Sequence, residues 1–298
     1  MPPDQDGLVA IVPAIDLPAE AASAILLPDQ QARPTTQVSI AGNGPYRFLV
    51  DTGAQATVIA RDVAATLALP SAGTGTLVAT GSQRTVDLVE VTGLGFANRE
   101  LNLPASPVLE REHLGADGIL GLDTLQGMRV LIDFATRRIT VADPHHERAS
   151  GTYEIIVRAR KRLGQMIITD ATIDGVRATV IVDTGASLSI GNRALQRRLR
   201  ARSGQAVEGT DVNGVSFVTD LRVARRIEID SLTIDAVQIG FADSPAFAAL
   251  NLAEWPALIL GMNALQGLDR LALDFAARKI MFDLPRGASN KQARWSRF

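Results

Sequence analysis

The chain has 298 residues, 46% of them hydrophobic and 21% charged, with a formal net charge of −2 and no cysteine. That length holds two domains with separate cores, and the near-neutral charge argues against a nucleic-acid partner. Disulfide frames, thiolate metal sites and thiol nucleophiles are excluded, and no apolar run approaches the roughly 18 residues of a membrane-spanning helix.

Residues 1–36 are rich in Pro, Ala and acidic residues and lack the basic start and continuous apolar core of a secretory signal. They read as a leader or an edge-strand segment, with Leu8–Val12 and Ala24–Leu27 each able to add a strand to a sheet. Two compartments stay open: periplasmic or secreted if a signal once preceded Met1, cytoplasmic if none did. From Gln37 a strand code begins. Gln37–Ala41 and Tyr46–Val50 are strands around a turn at Gly42-Asn43-Gly44-Pro45, and Arg61–Leu69 has helical spacing ending at Pro70. A Gly/Thr-rich stretch, Gly73–Gly81, precedes an alternating strand at Thr85–Val91, which makes Thr80-Gly81-Ser82 a hairpin tip. Strands near Leu94–Leu103 and Val130–Val141 close a first domain over 37–142.

Residues 143–152 are polar, contain Pro and Gly, and read as a linker; His145-His146 within them fits exposed linker better than a metal site. The order then repeats over 153–284. Met166–Ile173 and Arg177–Val182 flank a tight Asp174-Gly175 turn, and Asn192–Ala201 is a basic helix. Asn213-Gly214-Val215 stands where Thr80-Gly81-Ser82 stood. The arginines at 193, 197, 198, 200 and 202 form a solvated helix face that could attract an acidic partner, and Arg158, Arg160, Lys161 and Arg162 read the same way. Residues 285–298 read as a mobile tail.

The tails of the two halves make the duplication plain. Gly121-Leu122-Asp123-Thr124-Leu125-Gln126-Gly127 returns as Gly261-Met262-Asn263-Ala264-Leu265-Gln266-Gly267, and Asp133-Phe134-Ala135 returns as Asp274-Phe275-Ala276. The most informative repeat is Asp51-Thr52-Gly53-Ala54, which returns as Asp183-Thr184-Gly185-Ala186, each copy closing a hydrophobic run. One Asp-Thr-Gly arises by accident in roughly one chain in ten to twenty of this length; two matched copies do not. Each carboxylate is delivered at a strand end, on a turn that Gly permits. A lone buried carboxylate stays protonated, whereas a pair brought together by pseudo-symmetry can share a proton and do acid–base chemistry. A Ser-His-Asp hydrolase has little to work with, since the only histidines are 113, 145 and 146 and no Gly-x-Ser-x-Gly elbow accompanies them.

Taken together, these residues resemble the retropepsin-like aspartic proteases, and the flanking sequence resembles the bacterial members. The resemblance covers residues 37 to 284: Asp-Thr-Gly after a hydrophobic strand, a flap hairpin, and a hydrophobic-hydrophobic-Gly (Ile119-Leu120-Gly121, Ile259-Leu260-Gly261), each occurring twice. It implies a mostly all-β, bilobal acid-protease fold of two pseudo-symmetric β-barrel domains with few short helices. It further implies an endopeptidase that needs no cofactor or metal and acts on a peptide or protein substrate, with the two halves pairing within one monomer. Asp51 and Asp183 would be catalytic, with Thr52, Gly53, Thr184 and Gly185 supporting their loops. Ala54, Ala186, Thr80, Gly81, Ser82, Asn213, Gly214 and Val215 would meet substrate, and the hydrophobic-hydrophobic-Gly segments would be core. Alanine at 54 and 186, where pepsins carry a hydroxyl, implies an optimum less acidic than pepsin's, about pH 4 to 6. Two alternatives stay open: a peptide-binding or regulatory module that kept the fold without turnover, and a swapped dimer.

Overall fold

Of the chain, the computed structural model describes residues 22–25, 27–28, 33–96, 99–126, 128–142, 153–162, 164–199, 204–285 and 292–294. The linker at 143–152 with its histidines, the Leu8–Val12 segment, Arg200, Arg202 and most of the leader and tail lie outside the described residues.

Alternating apolar residues fold into hairpins throughout, and the six helices among the described residues are six residues long or shorter. The fold is therefore mostly β and bilobal. In the first half an eight-stranded sheet carries, side by side, Asn43–Val50, Gly118–Leu120 and Val58–Ala60. Asn43–Val50 runs parallel to Gly118–Leu120, with Phe48, Leu49 and Val50 opposite Gly118, Ile119 and Leu120. The second half repeats this in a nine-stranded sheet, where Val176–Val182 runs parallel to Ala257–Leu260 and Val182 sits opposite Leu260. Parallel neighbours are buried on both faces and read as continuous apolar runs. That is why the last three residues of each strand entering Asp-Thr-Gly, Phe48-Leu49-Val50 and Val180-Ile181-Val182, are aliphatic or aromatic and at most 1% exposed.

Two hairpins at equivalent places use the same turn. Asp174 and Gly175 both have positive φ, as do Ala41 and Gly42, the geometry that suits the twist of a two-residue hairpin. The first turn thus lies one step earlier than Gly42-Asn43-Gly44-Pro45 suggests. Ile40 pairs directly with Asn43, and the Asn43 side chain caps the bend by donating to the carbonyls of Ile40 and Ala41. The helix expected to reach Leu69 covers Arg61–Thr66, since the chain turns left-handed at Ala68. The basic helix spans Arg193–Arg198, started by Asn192, whose Oδ1 accepts from the Leu195 N–H at 2.8 Å.

A third sheet, six-stranded, joins the halves. At its centre Arg129–Asp133 pairs antiparallel with Arg270–Asp274, and each of these pairs outward with its own hairpin partner, Arg138–Ala142 or Lys279–Asp283. Its edges are Ala22–Ile25 and Ile155–Arg158, the strands that lead into the two halves. One apolar cluster runs from the first half through this sheet into the second. No described helix is long and apolar enough to cross a membrane.

Candidate active site

Both Asp-Thr-Gly loops end their strands at the interface between the halves. Each Asp is pinned by its own N–H, which donates to the carbonyl of the parallel neighbour strand: Asp51 to Leu120 at 3.1 Å and Asp183 to Leu260 at 3.0 Å. The loops then fold over their own carboxylates. Asp51 Oδ1 accepts from the N–H groups of Gly53 and Ala54, both at 2.8 Å. Asp183 Oδ1 accepts from Gly185 at 2.8 Å and Ala186 at 3.1 Å. Ala54 and Ala186 thus serve the carboxylates through their backbone.

The threonines tie one loop to the other. The N–H of Thr52 donates to Thr184 Oγ1 and the N–H of Thr184 to Thr52 Oγ1, both at 3.2 Å. Each hydroxyl in turn donates across the interface, Thr52 to the Val182 carbonyl at 2.9 Å and Thr184 to the Val50 carbonyl at 2.6 Å. Both side chains are at most 1% exposed, so in these bonds each hydroxyl both donates and accepts, and neither is left unsatisfied in a dry interior.

The glycines are required by the opposite half. A Cβ on Gly53 would collide with the Asp183 carboxyl, and one on Gly185 with the Asp51 carboxyl. Only a bare backbone lets two acids approach, and they are close enough to hydrogen-bond to each other. Burial pushes the Asp51 carboxyl above its ordinary range, partly offset by the Ala54 and Gly53 N–H groups. Asp183 is pushed well above its ordinary range, by burial first and then by the charge of Asp51. Like charges this close cannot both ionise, so the pair holds one proton between them and titrates as a unit.

Behind the loops lie Gly121 and Gly261, each too close to the backbone that follows the Asp-Thr-Gly turns for a Cβ. Their N–H groups donate to Thr57 Oγ1 and Ser189 Oγ, both at 3.1 Å, and those side chains are held by Asp123 and Asn263. Leu120 and Leu260 are core, as the sequence suggests. Ile119 and Ile259, expected there as core too, also line the cleft over the dyad. Consecutive strand residues face opposite sides, so only alternate residues of such a segment can be walled off from the cleft.

That cleft, about 1190 Å³, lies between the halves and contains Asp51, Asp183, Gly53, Gly185, Ala54 and Ala186. Two hairpins roof it: Ser71–Val78 with Gln83–Phe96, and Gln205–Thr210 with Ser216–Ile229. Of the expected tip residues only Thr80 faces the cleft. The tips instead meet each other. Asp211, 6% exposed, accepts from the Gly81 N–H at 3.1 Å and the Ser82 hydroxyl at 2.7 Å. Asn213 donates to Ser82 at 2.9 Å and accepts at its carbonyl from Arg84 at 2.8 Å. Gly81 lies on the Phe217 ring, and Gly214 on the His113 ring. Val215 closes its own turn, accepting at its carbonyl from the Asp211 N–H and donating its N–H to Asp211 Oδ1, both at 3.1 Å. Sequence reasoning missed Asp211 and Phe217, as well as Arg33 and Gln165 in the cleft wall. Among the described residues no cluster of three or more His, Asp or Glu could hold a metal ion.

Two family models match the chain, one in each half. The gag-polyprotein putative aspartyl protease model matches residues 36–127, and the aspartyl protease model matches residues 169–264. No curated protein matches the chain. The fold and the paired loops define an aspartyl protease of two domains in tandem. The chain belongs to the retropepsin-like aspartic proteases, with two homologous halves in one polypeptide.

Proposed function

We propose that the protein is an aspartic endopeptidase and that Asp51 and Asp183 are its catalytic pair. The observation that carries this reading is mutual: each carboxyl occupies the space that a side chain on the other half's glycine would need. Such closeness is costly for two acids, and it is useful where a shared proton does work.

An extended peptide enters the cleft between the halves and pairs its backbone with the hairpins above, as in strand addition to a sheet edge. The ionised carboxylate takes a proton from water as the water oxygen bonds to the peptide carbonyl carbon. The protonated carboxyl donates to the carbonyl oxygen at the same time. The tetrahedral adduct then collapses: the C–N bond breaks, the carboxyl that took the water proton gives it to the departing nitrogen, the other carboxylate takes a hydroxyl proton from the adduct, and the pair again holds one proton. No covalent enzyme intermediate is required. Burial raises both carboxyls, so one proton stays on the pair while its ionised member acts as the base.

Asp51→Asn and Asp183→Asn test this on a peptide library. Each is expected to lower turnover by roughly 10²-fold to 10⁴-fold or more, the scale of acid–base catalysis, while the fold stays intact by circular dichroism. Peptide binding without cleavage by the unmodified protein would instead mark a binding module.

A further inference from the structure

Arg33 is 7% exposed, yet it lies in the wall of the cleft that holds Asp51 and Asp183. The other ionisable groups in that wall are Glu208 and Asp211 on the second roof hairpin and His113 on the short helix Arg111–Leu114. Among the described residues lining the cleft, Arg33 is therefore the one side chain that stays cationic at every working pH. It is fixed in place, with Nη2 donating to the Leu114 carbonyl at 2.8 Å. A charge held in the wall of a cleft acts on the other ionisable groups that share it, and the acidic pair is among them.

The duplication supplies an internal control. Thr35 pairs with Leu49, two residues before Asp51, and Ile167 pairs with Ile181, two residues before Asp183. Two residues upstream of these partners stand Arg33 and Gln165, the same position in the two halves. Gln165 is also buried in the cleft wall, and its Nε2 donates to the Gly53 carbonyl at 2.5 Å. One flank of the dyad therefore carries a fixed positive charge and the other a neutral amide.

We propose that Arg33 is a positioning residue for the dyad: its charge keeps the pair singly ionised to a lower pH than neutral flanks would, and so sets the acid limb of activity. This rests on the aspartic-protease reading of Asp51 and Asp183. The electrostatics agree in direction, since Arg33 acts to lower the Asp51 carboxyl against the burial that raises it. An opposite charge near a carboxyl favours its ionised form, and a neutral amide adds no such pull.

The test uses Arg33→Gln, which copies the residue of the other half, Arg33→Lys, which keeps the charge, and Gln165→Lys, which adds one. Two readouts are taken: the acid limb of kcat/KM against pH, and direct titration of the dyad carboxyls by ¹³C NMR. Arg33→Gln should move both upward by about half a pH unit or more, Arg33→Lys should restore most of the shift, and Gln165→Lys should move both downward. A folded Arg33→Gln protein whose carboxyls titrate as before overturns the proposal. If Arg33→Gln does not fold, an unmoved titration in Gln165→Lys overturns it equally. The NMR arm separates this idea from the one it rests on. Carboxyls that follow the charge in a protein that cleaves nothing would sink the protease reading, and with it the acid limb, while the effect of Arg33 on the pair's ionisation would remain.

Discussion

Asp183 shows how one side chain can work against the fold that holds it. Its folded-state pKa is raised, by burial and then by the Asp51 charge, so the folded state binds the proton more tightly than the unfolded chain does. Stability from this group is fully present below the unfolded-state carboxylate range and is lost as pH rises through the raised folded value. Asn has no proton to lose, yet its Oδ1 can still accept from Gly185 and Ala186. Asp183→Asn should therefore match the parent in urea denaturation near about pH 3 and exceed it near about pH 7. A variant less stable than the parent at neutral pH would mean that the ionised carboxylate is welcome in its site and that burial does not oppose its charge. The buried threonines present no such conflict, because their hydroxyls gain two partners each and lose none on ionisation. The contrast separates a residue kept for its chemistry from one kept for the joint between halves.

At the scale of elements, the acidic grip between the two roof hairpins comes from one side only. Asp211 of the second hairpin grips Gly81 and Ser82 of the first, while Val78, which stands three residues before Gly81 as Asp211 stands before Gly214, is 39% exposed. Asp211→Ala removes the acceptor for both and for the N–H groups of Asn213 and Val215. The tips should then part. Because the chain has no cysteine, Val78→Cys with Val218→Cys gives two clean, exposed labelling sites on the hairpins. Spin-label distances should lengthen and broaden in Asp211→Ala, and KM should rise several-fold with a smaller change in kcat, the mark of lost binding rather than lost chemistry. Unchanged distances would show that the tips are held by something other than this carboxylate. The tips themselves were legible in the sequence, because Gly81 and Gly214 sit between strand-like runs and recur in register. The grip was not, and neither were Arg33 and Gln165. Their partners lie in the other half or far along the chain, and no local periodicity marks a contact across a pseudo-axis. The same limit explains the turn at Ala41-Gly42: Asn43-Gly44-Pro45 carries the stronger local turn signal, but the pairing of Val38 with Tyr46 and of Ile40 with Asn43 leaves only two residues to bend.

Across the whole molecule, the six-stranded sheet decides whether one chain can assemble the dyad alone. Its central strands come from opposite halves, and Arg129 clasps Asp274 across that seam through Nε at 3.0 Å and Nη2 at 2.6 Å, with Asp274 only 1% exposed. Removing Arg129 from such a buried pair costs about 3–5 kcal/mol, since the Asp274 charge is left stranded. The threonine bonds and the grip of Asp211 close the same interface further up. Because the halves share a chain, their encounter is intramolecular, with an effective concentration of roughly millimolar even in dilute solution. Two separate half-size chains would fall apart on dilution and lose activity with the square of concentration. This chain should sediment at its own 31.7 kDa, and its activity per chain should stay constant from roughly micromolar down to nanomolar, far below that effective concentration. A mass of twice that value, with activity per chain falling on dilution, would mean that the sheet and the dyad are completed by a second copy. Fusion would then have fixed the composition of the pair without fixing which two halves meet. Asp274→Ala offers the complementary check. By loosening the seam it should bring concentration dependence into a protein that otherwise has none, and Arg129→Ala should do the same if the two act as one pair.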